Sequence, residues 1–167
     1  MDGTVAAWGF NRERQLGHQP TDPNPNQNHS SSSYHSIADR VAGITSAVQV
    51  EAWRDNSRIL LSDGTVVGLT YDGVVPIDGL SNVQQLIQNY ALLADGTVVG
   101  LFSGQVISIP GLSNVVRLLP YETRLRDPYD GAAQSADGTV HGWKLNVTRD
   151  PESDLVSVEL DVLEPIN

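Results

Sequence analysis

The chain has 167 residues, 40% of them hydrophobic, and its 20 Asp and Glu against 10 Lys and Arg give a formal net charge of −10. A surface this acidic repels phosphate backbones, so the composition argues against nucleic-acid binding. The lack of Cys excludes disulfides, thiolate metal sites and a Cys nucleophile, and no apolar run approaches the roughly 20 residues of a membrane helix. The length is enough for one domain that buries a core.

The tetrapeptide Asp-Gly-Thr-Val occurs four times, beginning at Asp2, Asp63, Asp95 and Asp137. Asp-Gly favours a type I′ turn, because both residues tolerate positive φ, and Thr-Val then begins a strand. Three copies follow short apolar segments that suit the first strand of a hairpin. One hairpin is therefore repeated along the chain, which predicts an all-β repeat protein.

A second element recurs in step with the hairpins. Gly79–Val83 and Gly111–Val115 both read Gly-Leu-Ser-Asn-Val, and they lie 111 − 79 = 32 residues apart, the same interval as 95 − 63 = 32 for two of the turns. Gly43–Val48 is similar to them and is interpreted as a third copy. The other hairpin spacings are longer, and we assign the excess to insertions, which loops accept at little entropic cost.

Three segments are predicted to be loops within a single domain over residues 1–167. Residues 19–36 are polar, Pro-rich and Ser-rich and indicate a mobile loop. Residues 121–131 form a charged, aromatic insertion, and residues 147–154 form a third loop. The tail, residues 155–167, contains alternating apolar and polar positions from Val156 to Val162, as expected of an amphipathic strand that closes the domain.

The first unit resembles the repeat of the regulator of chromosome condensation family. The resemblance lies in Asp2–Asn11, which reads Asp-Gly-Thr-Val-Ala-Ala-Trp-Gly-Phe-Asn, and in the following Gln15-Leu16-Gly17. The Gly-Leu-Ser-Asn-Val segments resemble the opening of that repeat. Later units keep Asp-Gly-Thr-Val and lose Trp-Gly-x-Asn.

The resemblance implies a β-propeller, whose full rings in this family have seven blades of roughly fifty residues. This chain holds three complete repeats and an unpaired outer half at the N-terminus, so we expect a partial or small propeller of about 3.5–4 four-stranded antiparallel blades. It forms a small closed ring, an open arc completed by a partner, or part of a larger protein. An open arc exposes strand edges and favours self-association, of which a homodimer is one form. Val156–Val162 could complete a blade with Thr4–Trp8, within one chain or across two.

The most site-like group lies in the 121–131 insertion, because loops on a rigid sheet carry function and Tyr and Arg are frequent at binding hot spots. Trp8, Trp53 and Trp143 are interpreted as packing residues between blades. Trp53 stands where the family has small residues, so it joins the candidate binding set. The candidate binding residues are Trp53, Arg124, Arg126, Asp127, Tyr129 and Asp130.

No catalytic, metal or cofactor site is predicted. The run Ser30–Ser33 between His29 and His35 lacks the rigid scaffold that a catalytic Ser needs. The acidic spacing that starts at Asp150 lacks the Gly and the Glu of a calcium loop.

Members of the resembled family include an exchange factor for a small GTPase and a secreted inhibitor of β-lactamases, so the fold fixes no single activity. The sequence therefore favours a non-enzymatic module that binds a protein partner or its own copies. The alternative is a carbohydrate-binding or carbohydrate-cleaving module that uses Trp53, Tyr121 and Tyr129 for stacking and Asp127 or Asp130 as the acid. The sequence does not indicate a cellular location.

Overall fold

The computed structural model describes residues 2–11, 15–17, 34–53, 56–70, 72–102, 104–120, 131–149 and 156–165. Within these ranges the chain forms strands and turns and no helix. The described residues therefore contain no helix that could cross a membrane. The strands in chain order are β1 Ala6–Phe10, β2 Tyr34–Arg40, β3 Ala47–Trp53, β4 Asn56–Leu61, β5 Val66–Thr70, β6 Gly73–Pro76, β7 Val83–Ile87, β8 Tyr90–Leu93, β9 Val98–Phe102, β10 Gln105–Ser108, β11 Val115–Leu119, β12 Gly131–Ser135, β13 Val140–Arg149 and β14 Val156–Pro165.

Each sheet is an antiparallel meander of strands that follow one another in sequence. Strands β1 and β2 form a two-stranded sheet, here called the half-blade, whereas β3–β6, β7–β10 and β11–β14 form three four-stranded sheets, here called blades 1, 2 and 3. The chain divides into two compact units, Met1–Asp78 and Gly79–Asn167. The half-blade and blade 1 lie in the first unit, and blades 2 and 3 lie in the second. The prediction of a single domain over residues 1–167 stays a prediction.

The Asp-Gly hairpins have a different turn from the one that their sequence predicted. In blade 1 the N–H of Gly64 donates to the carbonyl of Leu61 at 3.0 Å, and the N–H of Leu61 donates to the carbonyl of Thr65 at 2.9 Å. Gly64 has φ +81°, but Asp63 is not among the described non-glycine residues with positive φ. The loop is thus a type I turn followed by a left-handed glycine, the three-residue hairpin with a G1 bulge, and the type I′ prediction is wrong.

The aspartate side chain explains this choice of turn. Oδ1 of Asp63 accepts hydrogen bonds from the backbone N–H of Thr65 at 2.9 Å and from its hydroxyl at 2.6 Å. The same backbone bond recurs in the other three copies, from Thr4, Thr97 and Thr139. An aspartate whose side chain accepts a hydrogen bond from the Thr two residues later stays in a right-handed turn conformation. Within the turn, positive φ is then adopted by the glycine. These bonds lower the pKa of all four aspartates.

The opening of one repeat is hydrogen-bonded to the hairpin turn of the repeat before it. In the first unit the N–H of Ala47 donates to the carbonyl of Gly3 at 2.9 Å, and in the second the N–H of Val115 donates to the carbonyl of Gly96 at 3.3 Å. Asn114, just before Val115, has φ +52°, a conformation that Asn tolerates better than most residues. The two recurring sequence elements therefore meet in the fold, which is why they repeat in step.

Each unit has its own apolar core between two sheets. In the first unit Val5 and Val41 of the half-blade segment pack with Ile59, Val67 and Leu69 of blade 1. In the second unit the core residues of blade 2 and blade 3 pack together; they are Tyr90, Leu92, Val98, Phe102, Val115, Leu118, Ala133, Trp143 and Leu145, with Ile109 from the connecting loop.

The structure corrects the boundaries of the predicted loops. Strand β2 begins at Tyr34, inside the 19–36 segment, and residues 18–33 lie outside the described residues. Strand β12 begins at Gly131, the last residue of the 121–131 insertion, and β13 extends to Arg149, inside the predicted 147–154 loop. Strand pairing explains the extensions at Gly131 and Arg149. Gly131 pairs with Trp143, and β13 pairs with β14 from His141–Pro165 to Arg149–Val156, the longest ladder among the described residues.

The tail forms the predicted strand but has a different partner from the one suggested within one chain. Strand β14 pairs with β13 and completes blade 3, while Ala6–Phe10 pairs with β2. The reason is local: two consecutive strands joined by a short connection pair more readily than strands from opposite ends of the chain.

Candidate interaction surfaces

Most of the predicted binding residues cannot be placed. Arg124, Arg126, Asp127, Tyr129 and Asp130 lie outside the described residues, as does Tyr121. Trp53 is the last residue of β3, and its backbone is in register with Asn56 of β4, but its side chain lies outside the described part. The binding role of the 121–131 insertion therefore stays a prediction.

Each blade has two faces, which are defined by the contact between blades 2 and 3. The forward face of a blade is the face that carries the equivalent of Tyr90, and the rear face is the face that carries the equivalent of Trp143. Tyr90 on the forward face of blade 2 meets Trp143 on the rear face of blade 3, with ring centroids 5.1 Å apart and planes at 89°. Trp143 also covers Gly131, where an added Cβ would lie 2.1 Å from its ring. The interpretation of Trp143 as a packing residue between blades is confirmed.

Counting from the aspartate of each hairpin turn identifies equivalent residues in the four repeats. Trp143 is the sixth residue after Asp137, and its equivalents are Leu69, Leu101 and Trp8. Leu69, Leu101 and Trp143 are only 6%, 4% and 4% exposed, whereas Trp8 is 61% exposed. The interpretation of Trp8 as a buried packing residue is therefore wrong. The rear face of the half-blade thus carries an apolar residue, Trp8, at the position that is buried in the three later repeats, but Trp8 is exposed.

The exposed face of the half-blade extends beyond Trp8. Ala6, Trp8 and Phe10 are the exposed residues of β1 and alternate with the less exposed Ala7 and Gly9, so they share one face. Phe10 is 49% exposed. Ile37, in the part of β2 that faces the irregularity between Ala7 and Gly9, is also largely exposed. A contiguous apolar surface of this kind marks an interaction site more often than isolated exposed residues do.

The forward face of blade 3 differs from that of blade 2. The residue three places before the turn aspartate is a buried Leu at positions 60 and 92, but it is the half-buried Gln134 in blade 3. Its Nε2 donates to the carbonyl of Gly138 at 3.3 Å, and its Oε1 accepts from Arg117 at 3.2 Å. The place of the buried Phe102 is taken by the exposed Lys144. On this face, Gln134 thus has hydrogen-bond partners within blade 3 for both its amide nitrogen and its amide oxygen.

An open groove of about 460 Å³ lies beside the first hairpin turn. Asp2, Thr45, Ser46, Val48 and Ser62 line it, so it offers one carboxylate and several hydroxyls but no aromatic ring. A sugar site of the predicted kind needs a stacking aromatic, which this groove does not supply. In the part of the chain that the structure describes, no three His, Cys, Asp or Glu residues lie close enough together to hold a metal ion.

Comparisons with known proteins agree with the fold. Residues 2–48 match the model of the regulator of chromosome condensation (RCC1) repeat. The crystal structure of Kap60 bound to yeast RCC1 (Prp20) contains a chain that superposes with a TM-score of 0.61 at 16% identity, covering 99% of this chain and 46% of that chain. This chain thus spans less than half the length of that relative, and no curated protein matched it. The resemblance to the RCC1-type repeat family and the expected all-β, partial-propeller fold are confirmed: residues 2–48 are similar to the RCC1 repeat, and the fold is similar to that of the solved RCC1 structure.

Proposed function

We propose that this chain is a non-enzymatic protein-interaction module that binds a protein through the rear face of its half-blade. The observation that carries the proposal is the 61% exposure of Trp8 at a position where every later repeat buries its residue. The surface of Ala6, Trp8 and Phe10 is apolar and carries no acid, base or nucleophile. It suits the burial of a partner surface and not the conversion of a substrate.

The chemistry of this surface supports a protein as the partner. Trp is among the residues most enriched at interaction hot spots, because it removes a large apolar area from water at a small cost in side-chain entropy. Each fully buried aromatic side chain contributes about 1.5–3 kcal/mol. One similar structure is of Kap60 bound to yeast RCC1 (Prp20), which supports a protein-binding role for the fold.

The 121–131 insertion is proposed as a second binding element, through Arg124, Arg126 and Tyr129. Surface replacements there would cost the fold less than about 0.5 kcal/mol, so the triple Ala variant would keep its melting temperature. Loss of partner capture by that folded variant would support the role of the loop. Unchanged capture, or a large loss of stability, would contradict it.

A photo-crosslinking amino acid at position 8 tests the half-blade surface, with the same amino acid at Val48 as the matched control. Val48 is 60% exposed and belongs to β3 of blade 1, so it offers similar access on a strand outside the half-blade. We expect protein adducts at position 8 and few at position 48. Equal crosslinking at both positions would argue against a specific surface, and glycan-array binding without protein adducts would favour the carbohydrate alternative.

A further inference from the structure

The connection between β6 and β7 contains an Asp-Gly pair, Asp78–Gly79, that belongs to neither of the proposed binding elements. Both residues lie in a turn and both are exposed. We propose that this pair is a site of isoaspartate formation, where the backbone rearranges through a cyclic imide, and that the Asp-Gly pairs at Asp63, Asp95 and Asp137 are protected by their hairpin turns. The modified chain would be a substrate for the class of enzyme that methylates isoaspartyl carboxylates.

The rearrangement uses two groups that are adjacent in the sequence. The backbone nitrogen of Gly79 attacks Cγ of Asp78, so an N–Cγ bond forms, and the side-chain hydroxyl leaves with the proton of that nitrogen as water. Water then adds to the original backbone carbonyl of Asp78 and breaks its bond to nitrogen. The chain now runs through Cγ, and the former backbone carbonyl is a free carboxylate. Glycine favours the attack because no Cβ shields its nitrogen.

The two reacting groups of Asp78–Gly79 are available in the folded protein. Within the described residues, no hydrogen bond engages the carboxylate of Asp78, and no backbone carbonyl accepts from the N–H of Gly79. A Cβ added to Gly79 would meet no atom within 4 Å, so the nitrogen has open space beside it. Because both residues are exposed, water for the second step is also at hand.

The Asp-Gly pairs of the three hairpin turns differ at both groups. The N–H of Gly64, Gly96 and Gly138 donates to a backbone carbonyl at 3.0, 3.0 and 2.9 Å, respectively. The carboxylate of the aspartate before each glycine accepts the N–H of the following Thr at 2.9 Å. Ring closure in these turns must break both bonds. The lowered pKa of the three aspartates also reduces the protonated fraction, which is the form that releases water.

The next repeat supplies a variant that suits the same turn. The segment Gly-Leu-Ser-Asn-Val follows Asp78 in one repeat and Pro110 in the next. The glycines that open the two segments, Gly79 and Gly111, have φ of +75° and +80°. Pro followed by a glycine with positive φ is a favoured centre of a tight turn. Asp78→Pro therefore removes the reactive carboxylate with a residue that the chain already uses at this place.

The test is to incubate the folded full chain near neutral pH and to locate isoaspartate by peptide mapping. Labelling with an isoaspartyl methyltransferase and radioactive S-adenosylmethionine gives an independent count. We expect isoaspartate at position 78 to form at least about tenfold faster than at positions 63, 95 and 137, because closure there must break two hydrogen bonds. Asp78→Pro should abolish the signal of this peptide. Asp78→Glu, which keeps the charge but must close a larger ring, should abolish it as well.

The same incubation in concentrated urea separates the effect of the fold from that of the local sequence. The unfolded chain has lost the turn hydrogen bonds, so the four positions should react at rates within a few-fold of one another. A folded chain that forms no isoaspartate at position 78 while the unfolded chain does would overturn the site. Rates in the folded chain that are equal at all four positions, or a preference for position 78 that is as large in urea, would overturn protection by the turns.

Discussion

Gln85 and Leu118 are joined by two hydrogen bonds across neighbouring blades. The side-chain Nε2 of Gln85 donates to the carbonyl of Leu118 at 3.1 Å, and its Oε1 accepts from the N–H of Leu118 at 2.8 Å. Strand β11 lies at the edge of its sheet, so these backbone groups have no neighbouring strand of their own sheet on that side. The side-chain amide of Gln85 thus makes the two hydrogen bonds that a neighbouring strand would make, and it connects blade 2 to blade 3.

Replacing Gln85 with Leu should destabilise the second unit. The change leaves a partly buried N–H and C=O of Leu118 without their partner, and each such group costs about 1–3 kcal/mol. Gln84→Leu is the matched control, because Gln84 is exposed on the same strand. Urea denaturation should show a lower midpoint for Gln85→Leu only. Equal midpoints would mean that water replaces the amide at no cost.

The sequence predicted the repeated hairpins well because their signals are local. Asp, Gly and Thr act on one another within four residues, and the alternating strands beside them follow from the same short segments. The turn type was missed because the bond from Thr65 to Asp63 competes with the type I′ preference of Asp-Gly. The hydrogen bonds between Gln85 and Leu118 were not predicted, because a single Gln on a strand has the pattern of a surface residue and its partner lies in the next blade.

Burial of the tryptophans shows the limit of sequence reasoning about the candidate site. Trp8 and Trp143 occupy equivalent positions after equivalent turns, yet one is 61% exposed and the other 4%. The difference depends on whether a preceding blade covers the residue, which no local pattern encodes. Counting six residues from each turn aspartate identifies Trp8 as the equivalent of Trp143, which is the part of this comparison that the sequence supplies.

Gly131→Ala should be strongly destabilising, although Gly and Ala differ by one methyl group. A Cβ at position 131 would lie 2.1 Å from Cζ2 of Trp143, a ring that is buried between two blades and cannot withdraw without losing its contacts. Overpacking of this kind costs about 1–3 kcal/mol. Gly68→Ala is the control, because the nearest atom there, the carbonyl oxygen of Val75, is 4.0 Å away. A melting temperature lowered only by Gly131→Ala is expected, and a similar loss in both variants would point to strand propensity instead.

Gly96→Ala should lower the free energy of unfolding more than Gly138→Ala, although the two glycines stand at equivalent positions in two copies of the Asp-Gly-Thr-Val turn. Both have positive φ, +82° and +89°, so both variants carry the strain of an L-residue in the left-handed region, about 1 kcal/mol. A Cβ at position 96 would also lie 3.2 Å from the backbone N and O of Val115, whereas one at position 138 meets no atom within 4 Å. The difference between the two variants in thermal denaturation therefore measures the contact of the turn with the next repeat. Equal losses would show that this contact adjusts without cost.

Stability should fall in acid as the turn aspartates lose their hydrogen bonds. The hydroxyl and the backbone N–H of Thr65 lower the pKa of Asp63, and the backbone N–H and hydroxyl of the following Thr do the same for Asp2, Asp95 and Asp137. A carboxylate with a lowered pKa in the folded state stabilises the fold fully above its unfolded value of about 3.9 and loses that contribution as the pH falls through the lowered pKa. The melting temperature should therefore be nearly constant from about pH 7 to 5 and fall below about pH 4.

Asp63→Asn, which keeps an acceptor oxygen but cannot titrate, should show a shallower fall. Short-range hydrogen bonds from Thr65 lower the pKa of Asp63, so the difference between this variant and the wild type should persist in about 0.5 M salt, where exposed charges are screened beyond a few ångströms. A difference that vanishes in salt would assign the acid sensitivity to distant charges and not to the turns.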